Sequence, residues 1–291
     1  DLDFKDRNIN KLCKYSVDGG KRVRSVIMKS VFDSFNNKTM NKMSNKPLDL
    51  GIVFIEYIQS ASLLFDDIMD QDIYRRGKKC LHVDNGVGVA QMIGLELTST
   101  GFFKLIELME IINNKTNSSY IMAKHVHQSI NMLTKGQYLD ISKSSGDNNT
   151  TMNKLSLNVK NNDYIINIIN LKTGSLFEVC YVIPYVIFNK ELNDNDLSHR
   201  ITAIKKLGTL FSLIFQIADD FEDYFQDLET NGKNITTNYV IYNGKNKAKI
   251  DFNNFVNKFT KMSNEYNIYS NHIDVIVKYL SEKVELYCAA I

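Results

Sequence analysis

The sequence predicts an all-α protein, and three observations support this fold class. Only two prolines, Pro47 and Pro184, and 14 glycines interrupt the 291 residues, so few positions break a helix. Apolar residues recur at steps of three and four over several long segments, which is the period of an amphipathic helix. Residues 240–242 are the only strand-like stretch. We therefore expect a bundle of helices.

The predicted helices follow one another along the chain. They cover residues 1–18, a segment that begins at about residue 22, and residues 48–70, 87–112, 120–142, 163–188 and 197–227. Pro184 is expected to kink or end the helix that contains it. The pattern beyond residue 250 is only weakly helical. The loops between the helices are rich in Asn, Lys and Ser, as solvated loops are.

The composition of the chain limits which classes of function it can have. Hydrophobic residues make up 44% of the chain, which is ample for a large core, and the formal net charge of +2 predicts no general attraction to nucleic acid or a membrane surface. The four cysteines are scattered, which is typical of reduced thiols in an intracellular protein, so we expect a cytoplasmic or organellar location.

No uninterrupted apolar run reaches about 18 residues, so no transmembrane helix is expected. The chain begins at Asp1 rather than Met, and we expect it to be a fragment.

The stretch from residue 63 to 77 carries the strongest chemical signal. An apolar lead-in, Leu63–Phe65, runs directly into Asp66, Asp67 and Asp70. On a helix, positions i, i+1 and i+4 lie within an arc of about 100°, so these carboxylates crowd one face. Such crowding is costly unless a cation lies among them. Carboxylate oxygens with no His or Cys nearby suit a hard ion such as Mg²⁺.

The same spacing recurs at Asp219, Asp220 and Asp223, again after an apolar run. One acidic helix turn is usually a solvated face, but two copies with identical spacing favour a metal-binding role. If the two helices face each other, they form a cage for several divalent ions.

Several cations are candidates for binding phosphate. Residues 19–24, with the sequence GGKRVR, place two glycines and three cations at a helix start, which predicts either an anion site or a basic surface turn. Arg75 and Arg76 either pair with the nearby acids or form a fork for a second phosphate. Lys172, in an otherwise apolar helix, must reach an anion or solvent. His125 and His127 fall on different helix faces, and neither is expected to bind metal.

Taken together, these pieces resemble the trans-isoprenyl diphosphate synthases, also called the polyprenyl synthetase family. The resembling motifs are GGKRVRS at 19–25, DDIMDQDIYRRG at 66–77, GQYLD at 136–140, KTGSLF at 172–177, FQIADDFED at 215–223 and GK at 232–233. The resemblance implies a single domain over residues 1–291, with about ten or more helices around a deep central cavity. It also implies a homodimer that condenses isopentenyl diphosphate with dimethylallyl, geranyl or farnesyl diphosphate.

The resemblance also implies roles for individual residues. Asp66, Asp70 and Asp219 would coordinate about three Mg²⁺ ions, for which Mn²⁺ can substitute, with Asp67, Asp220 and Asp223 beside them or behind them. Arg75, Lys172 and Lys233 would hold the allylic diphosphate. Lys21, Arg24, Gln59 and Arg76 would bind isopentenyl diphosphate. Thr173 and Gln216 would face the allylic carbocation.

Product length depends on the floor of the cavity. Ala61 and Ser62 lie about one helical turn below Asp66, where bulky aromatics form a floor in farnesyl-producing members. Their small side chains resemble the geranylgeranyl type, so a C20 product is the first choice. Ile27, Phe32 or residues 102–103 could still close the cavity, so C15 and longer products stay open.

The chain departs from the family pattern in two places, and two other functions compete with that of a synthase. Ser25 stands where the family often has Pro, and residues 234–250 do not clearly match the family. A non-catalytic subunit of a heteromeric synthase would be expected to lose one acidic turn, yet both are intact. A terpene cyclase would not need the anion site at 19–24.

Overall fold

The computed structural model describes residues 7–40, 42–112, 117–144, 161–231 and 238–290. Lys233 lies outside the described residues, so its predicted role has no structural account. The all-α prediction is confirmed over the described ranges. The helices are α1 (Arg7–Val17), α2 (Val23–Asn36), α3 (Lys46–Met69), α4 (Leu81–Asn85), α5 (Val87–Ile112), α6 (Ser118–Ser144), α7 (Asn161–Ile169), α8 (Ser175–Asn189), α9 (Asp194–Glu222), α10 (Tyr224–Asn231), α11 (Tyr239–Asn243), α12 (Lys245–Glu265) and α13 (Asn271–Ala290).

The predicted helix over residues 163–188 is not continuous. A π-helical turn, Asn170–Gly174, separates α7 from α8. Pro184 lies inside α8, and the helix continues to Asn189, so the expectation that this proline could end the helix is wrong. Single π-helical turns inside α-helices are frequent at functional sites.

Two further local predictions differ from the structure. The strand-like residues 240–242 belong to α11, because the side chain of Asn238 accepts hydrogen bonds from the backbone N–H groups of Val240 and Ile241 and so caps a helix. The structure also contains a short hairpin, β1 (Tyr74–Arg75) paired antiparallel with β2 (Lys78–Lys79). Its two turn residues, Arg76 and Gly77, both have positive φ, which matches the twist of a two-residue hairpin loop.

Helices α8 and α9 form the centre of the core. Residues Ser175 to Ile187 of α8 are buried, and α9 approaches α8 closely at Gly208. A Cβ atom on Gly208 would lie 2.6 Å from the backbone of Glu178. The Glu178 carboxylate accepts hydrogen bonds from Ser129 of α6 and Thr209 of α9. This buried polar contact holds α6, α8 and α9 together.

The second close helix pair is α3 against α5. Glycines on α5 allow this approach: a Cβ on Gly94 would lie 2.8 Å from the ring of Phe65, and one on Gly101 would lie 3.3 Å from Cβ of Tyr57. The packing fixes the direction of α3, whose C-terminal end carries the first acidic cluster.

Three helical stretches are long and apolar enough to cross a membrane by length and composition: Lys46–Met69, Tyr164–Asn189 and Asp194–Glu222. An uninterrupted apolar run does not identify them in the sequence, because polar residues interrupt each stretch without lowering its average hydropathy enough. The expectation of no transmembrane helix stays a prediction, since length and composition alone place no helix in a membrane. In the structure these stretches pack into the bundle, with 44%, 78% and 61% of their most apolar windows buried.

Candidate active site

The first acidic cluster, Asp66, Asp67 and Asp70, lies at the C-terminal end of α3. Asp70 is the residue that ends the helix, and its backbone N–H donates to the carbonyl of Asp66. The carboxylate of Asp66 accepts a hydrogen bond of 2.5 Å from Nε2 of Gln137 on α6. Three acids at the negative end of a helix dipole are electrostatically unfavourable, so this position attracts cations.

Asp67 and Asp70 have different surroundings. Asp67 is buried and accepts a hydrogen bond of 2.6 Å from Nε of Arg75. Burial, together with the neighbouring charge of Asp66, raises the pKa of Asp70 to about 6. Asp67 therefore holds Arg75 in place, whereas Asp66 and Asp70 carry negative charge that a bound cation would stabilise.

Lys172 reaches this cluster from the π-helical turn. Its Nζ lies 2.6 Å from a carboxylate oxygen of Asp140 and 3.7 Å from Oδ1 of Asp66. Gly136 of α6 makes this possible, because a Cβ at that position would lie 2.8 Å from the backbone nitrogen of Lys172. The 136–140 motif thus positions Lys172 through the close approach at Gly136 and the hydrogen bond to Asp140. Gln137 of the same motif donates the hydrogen bond that holds Asp66.

The second cluster, Asp219, Asp220 and Asp223, lies at the C-terminal end of α9. Asp220 is buried and accepts hydrogen bonds from Gln216 at 2.8 Å and from the backbone N–H of Tyr239 at 2.6 Å. Burial raises the pKa of Asp220 to about 7, although both hydrogen bonds oppose the shift. Burial and the charge of Asp219 also raise the pKa of Asp223.

The structure links the two clusters through adjacent residues of the π-helical turn. Thr173 donates a hydrogen bond of 3.0 Å to Oε1 of Gln216, and Gln216 contacts Asp220. The neighbouring Lys172 contacts the first cluster. The two acidic helix ends that the sequence predicts to face each other are therefore connected through one short segment.

The predicted basic residues divide into two groups. Arg75 pairs with Asp67 and also with Asp72 at 2.8 Å, so it is bound to acids. Arg76 turns instead toward the loop before α2, where a Cβ on Gly20 would lie 2.8 Å from its guanidinium. Burial and the neighbouring Arg22 lower the pKa of Arg76. A cation in these surroundings would be stabilised by an anionic ligand.

Two other predicted substrate-binding residues carry polar atoms that lack partners. Within the described ranges, Nε of Arg24 and Oε1 of Gln59 are buried and have no hydrogen-bond partner. The Arg24 guanidinium also lies 4.6 Å from the ring centre of Phe177. Buried polar groups are normally paired, so these two atoms indicate a ligand site. Lys21 lies on the same side of the bundle, 3.7 Å from Glu222 and 4.0 Å from Asp219.

A cavity of about 530 Å³ runs along α3 below the first cluster. Gln137 lines this cavity, and so do seven of the predicted site residues: Arg24, Gln59, Ala61, Ser62, Asp66, Lys172 and Thr173. The lining also includes Thr98 of α5 and Ile58, which lies about two helical turns before Asp66 on α3, so the wall along α3 is about 12 Å long. One turn below Ile58, the rings of Phe54 and Phe102 pack edge to face with centres 5.8 Å apart. A larger groove of about 730 Å³ beside α1 is lined by none of the predicted site residues.

The donor atoms at the two clusters fit a hard divalent cation. Asp66 and Asp70, like Asp219 and Asp223, are carboxylates one helical turn apart, and Mg²⁺ prefers oxygen ligands. Over the described part of the chain, no three His, Cys, Asp or Glu side chains group closely enough to hold an ion by themselves. Mg²⁺ usually keeps waters and shares substrate phosphates, so an incomplete protein shell is compatible with it.

Three residues at the site were missed as functional residues. Gln137 and Asp140 lie in the GQYLD motif at 136–140, but no local pattern predicts a role for either side chain. Lys283, in the weakly patterned C-terminal region, lies 2.6 Å from Asp219. No local sequence signal identifies Lys283, because its partner lies 64 positions away.

Comparison with known proteins agrees with this geometry. A family model described as polyprenyl synthetase matches residues 6–240. Farnesyl diphosphate synthase of Buchnera aphidicola subsp. Acyrthosiphon pisum is 29% identical over 240 residues, covering 80% of this chain and 77% of that protein. A trans-prenyltransferase of African swine fever virus (isolate Warthog/Namibia) is 24% identical over 280 residues, covering 93% of this chain and 74% of that protein.

Solved structures show the same fold. Geranyltranstransferase from Thermotoga maritima superimposes with a TM-score of 0.74 at 22% identity, covering 98% of this chain and 92% of that one. Geranylgeranyl pyrophosphate synthetase from Pyrococcus horikoshii gives a TM-score of 0.62 at 22% identity, covering 97% and 84%. With its motifs, its linked acidic clusters and a family match over most of its length, the chain belongs to the polyprenyl synthetase family, the trans-isoprenyl diphosphate synthases.

Proposed function

We propose that this chain catalyses the Mg²⁺-dependent condensation of isopentenyl diphosphate with an allylic diphosphate to give a longer trans-polyprenyl diphosphate. The observation that carries the proposal is the contact chain from Asp66 through Lys172, Thr173 and Gln216 to Asp220, at the end of an apolar cavity. The names of the relatives, which include farnesyl and geranylgeranyl diphosphate synthases, support the same substrate class.

The acidic ends of α3 and α9 would receive the allylic diphosphate. Asp66, Asp70, Asp219 and Asp223 would hold Mg²⁺, which when bound neutralises diphosphate charge and improves the leaving group. Lys172 adds positive charge beside Asp66. Asp67 and Asp220, both occupied by protein donors, orient the clusters.

The reaction begins when the allylic C–O bond breaks and both bonding electrons leave with the diphosphate. The resulting carbocation needs weakly basic oxygens nearby and no water. Thr173 and the amide of Gln216 supply such oxygens, and Thr173 lines the cavity. The apolar cavity wall would keep the growing chain away from water.

Isopentenyl diphosphate would bind beside α2, through Lys21, Arg24, Gln59 and Arg76. Its diphosphate would give Nε of Arg24 the acceptor that this buried atom lacks. The double bond of isopentenyl diphosphate then attacks the cation and forms a new C–C bond. The new cation loses a proton to the departed diphosphate, so no protein base is required.

A C20 product is the favoured length, with C15 as the alternative. Ala61 and Ser62 line the cavity and are small, so neither blocks it one turn below Asp66. The ring pair of Phe54 and Phe102 lies deeper and would act as the floor. The relatives include both farnesyl and geranylgeranyl synthases, so the product must be measured.

We also propose a homodimer formed through α5. Large apolar side chains are exposed along one face of that helix: Met92, Leu95, Phe103 and Ile106, each between 52% and 60% exposed. Their spacing of three and eight residues keeps them on one side. A contiguous apolar patch of this kind is typical of a subunit interface, and a second copy of the chain is the proposed occupant.

The enzyme proposal is tested by incubating the protein with isopentenyl diphosphate, farnesyl diphosphate and Mg²⁺. Diphosphate release and a longer prenyl product are expected. Asp66→Ala and Asp219→Ala should each lower the rate by several orders of magnitude. Asp84→Ala, which removes an exposed partner of Lys79, is the control and should leave the rate unchanged. Activity retained in either active-site variant would contradict the proposed metal role.

A further inference from the structure

The C-terminal helix α13 brings a buried lysine onto the second acidic cluster. The side chain of Lys283 is only 5% exposed, and its Nζ lies 2.6 Å from Oδ1 of Asp219. The same ammonium contacts the carboxylate of Glu222, one helical turn further along α9. One ammonium from α13 therefore pairs with two carboxylates at the end of α9.

The first cluster is arranged differently. Lys172 lies 3.7 Å from Asp66, beyond hydrogen-bond distance, and its hydrogen bond goes to Asp140. Arg75 donates to the buried Asp67 rather than to Asp66 or Asp70. The two clusters share a spacing in the sequence, yet a protein ammonium engages Asp219 directly and not Asp66.

This ammonium is close enough to oppose a metal ion. A divalent ion bound to Asp219 would share a carboxylate with Lys283, and like charges a few ångströms apart repel strongly where water is excluded. Lys283 cannot simply move into solvent, because its helix neighbours Leu280 and Val284 are buried and hold this face of α13 against the bundle. The repulsion would persist until negative charge arrives at the cluster.

We propose that Lys283 is a built-in cation that competes with the divalent metal ion for Asp219 when no diphosphate is bound. The inference rests on the metal role given to Asp219 in the proposed function. It orders the binding events: the first cluster takes up metal first, and the second fills once a diphosphate supplies negative charge. The family match ends at residue 240, so Lys283 lies outside the matched region.

The test is Mn²⁺ binding to the substrate-free protein, measured from the electron paramagnetic resonance signal of free Mn²⁺. Lys283→Gln should bind Mn²⁺ at the second cluster about tenfold more tightly than the wild type. Adding Asp219→Asn to the Lys283→Gln variant should abolish this increase in Mn²⁺ affinity. Lys278→Gln is the matched control, because Lys278 lies on the same helix in an exposed pair with Asp274. Identical isotherms for Lys283→Gln and the wild type would overturn the proposal.

A second titration, with inorganic pyrophosphate present, separates this inference from the proposed function. Suppose that Asp219→Asn in the wild-type background weakens Mn²⁺ binding, while Lys283→Gln has no effect on it without pyrophosphate. The proposed competition between Lys283 and the metal ion is then refuted, and the proposed role of Asp219 as a metal ligand stands. If Asp219→Asn changes nothing even with pyrophosphate, Asp219 is not a ligand and both ideas fail.

Two further measurements cover the case in which Lys283→Gln does not fold. Lys283→Arg keeps the charge and should keep the wild-type isotherm; tighter Mn²⁺ binding by this variant would count against the proposal. Lys283→Met removes the charge and keeps an apolar side chain of similar length, so it should tighten Mn²⁺ binding as Lys283→Gln does. A wild-type isotherm for Lys283→Met would overturn the proposal.

Discussion

Thr173 donates a hydrogen bond of 3.0 Å to Oε1 of Gln216, and this contact joins the two acidic helix ends. On one side, the adjacent Lys172 lies 3.7 Å from Asp66. On the other, Nε2 of Gln216 donates to Asp220 at 2.8 Å. The π-helical turn therefore fixes the position of one cluster relative to the other, which a reaction between two bound substrates requires.

Replacing Thr173 by Val should test this link, since Val keeps the shape and removes the hydroxyl. Gln216 would lose a partner, and the oxygen proposed to face the allylic carbocation would be absent. We expect kcat to fall about tenfold, with little change in KM for the allylic diphosphate. Thr202→Val, at an exposed position of α9, is the control. An unchanged kcat would show that the link does not matter for the chemical step.

Phe102→Ala should lengthen the product. Removing the ring opens space beneath Ile58 and Thr98, so additional isoprene units fit before the chain meets the floor. Ser62→Phe should shorten the product, because it places a ring in the cavity near the first cluster. Chromatography of the dephosphorylated products measures both effects.

The control for this prediction is Ile250→Ala. Ile250 lies on α12 and is 61% exposed, so its truncation leaves the cavity unchanged. The same product distribution in Phe102→Ala and Ile250→Ala would rule out Phe102 as the floor.

Asp220 should make the metal-free protein less stable as the pH rises. Burial raises its pKa to about 7, so the folded state holds the proton more tightly than the unfolded chain. The resulting stability is present at low pH and is lost as the pH rises through about 7. Asn cannot titrate, so the stability of the wild type relative to Asp220→Asn should fall by a few kcal/mol from about pH 4 to pH 8. Urea unfolding in the presence of a chelator measures this difference, and a constant difference across that range would refute the assignment.

Gly208 should be intolerant of a side chain. A Cβ there would lie 2.6 Å from the backbone of Glu178, which no side-chain rotation can relieve. We expect Gly208→Ala to lower the free energy of unfolding by about 2 kcal/mol or more. Gly88→Ala is the matched control, because a Cβ there meets nothing within 4 Å; in a helix it should stabilise by about 0.5 kcal/mol. Equal effects in the two variants would mean that α8 and α9 do not pack as described.

Leu95→Asp together with Ile106→Asp should convert a dimer into monomers. Both side chains are exposed on the apolar face of α5, and buried charges at the centre of an interface are strongly unfavourable. Analytical ultracentrifugation at several concentrations measures the mass. Tyr279→Asp, at a 59% exposed position of α13, should leave the assembly unchanged. A wild-type protein that sediments as a monomer would exclude the proposed interface.

Most of the helical architecture and both acidic clusters could be predicted from the sequence. The apolar period of α3 and α5, and the i, i+1, i+4 spacing of the aspartates, depend only on helix geometry, which is local. The prediction of a cation site rests on residue type, because carboxylates crowded behind an apolar run are costly without a cation wherever the helix lies in the fold.

The tertiary structure decided which partner each of these side chains has. Asp67 is occupied by Arg75 while its neighbour Asp66 accepts from Gln137, 71 positions away, and Lys283 reaches Asp219 across 64 positions. Sequence periodicity shows which face of a helix is buried but not what it is buried against. The division of the aspartates into those held by protein donors and those proposed to face a metal ion, and the ammonium of α13 on the second cluster, therefore arise only when distant segments pack together.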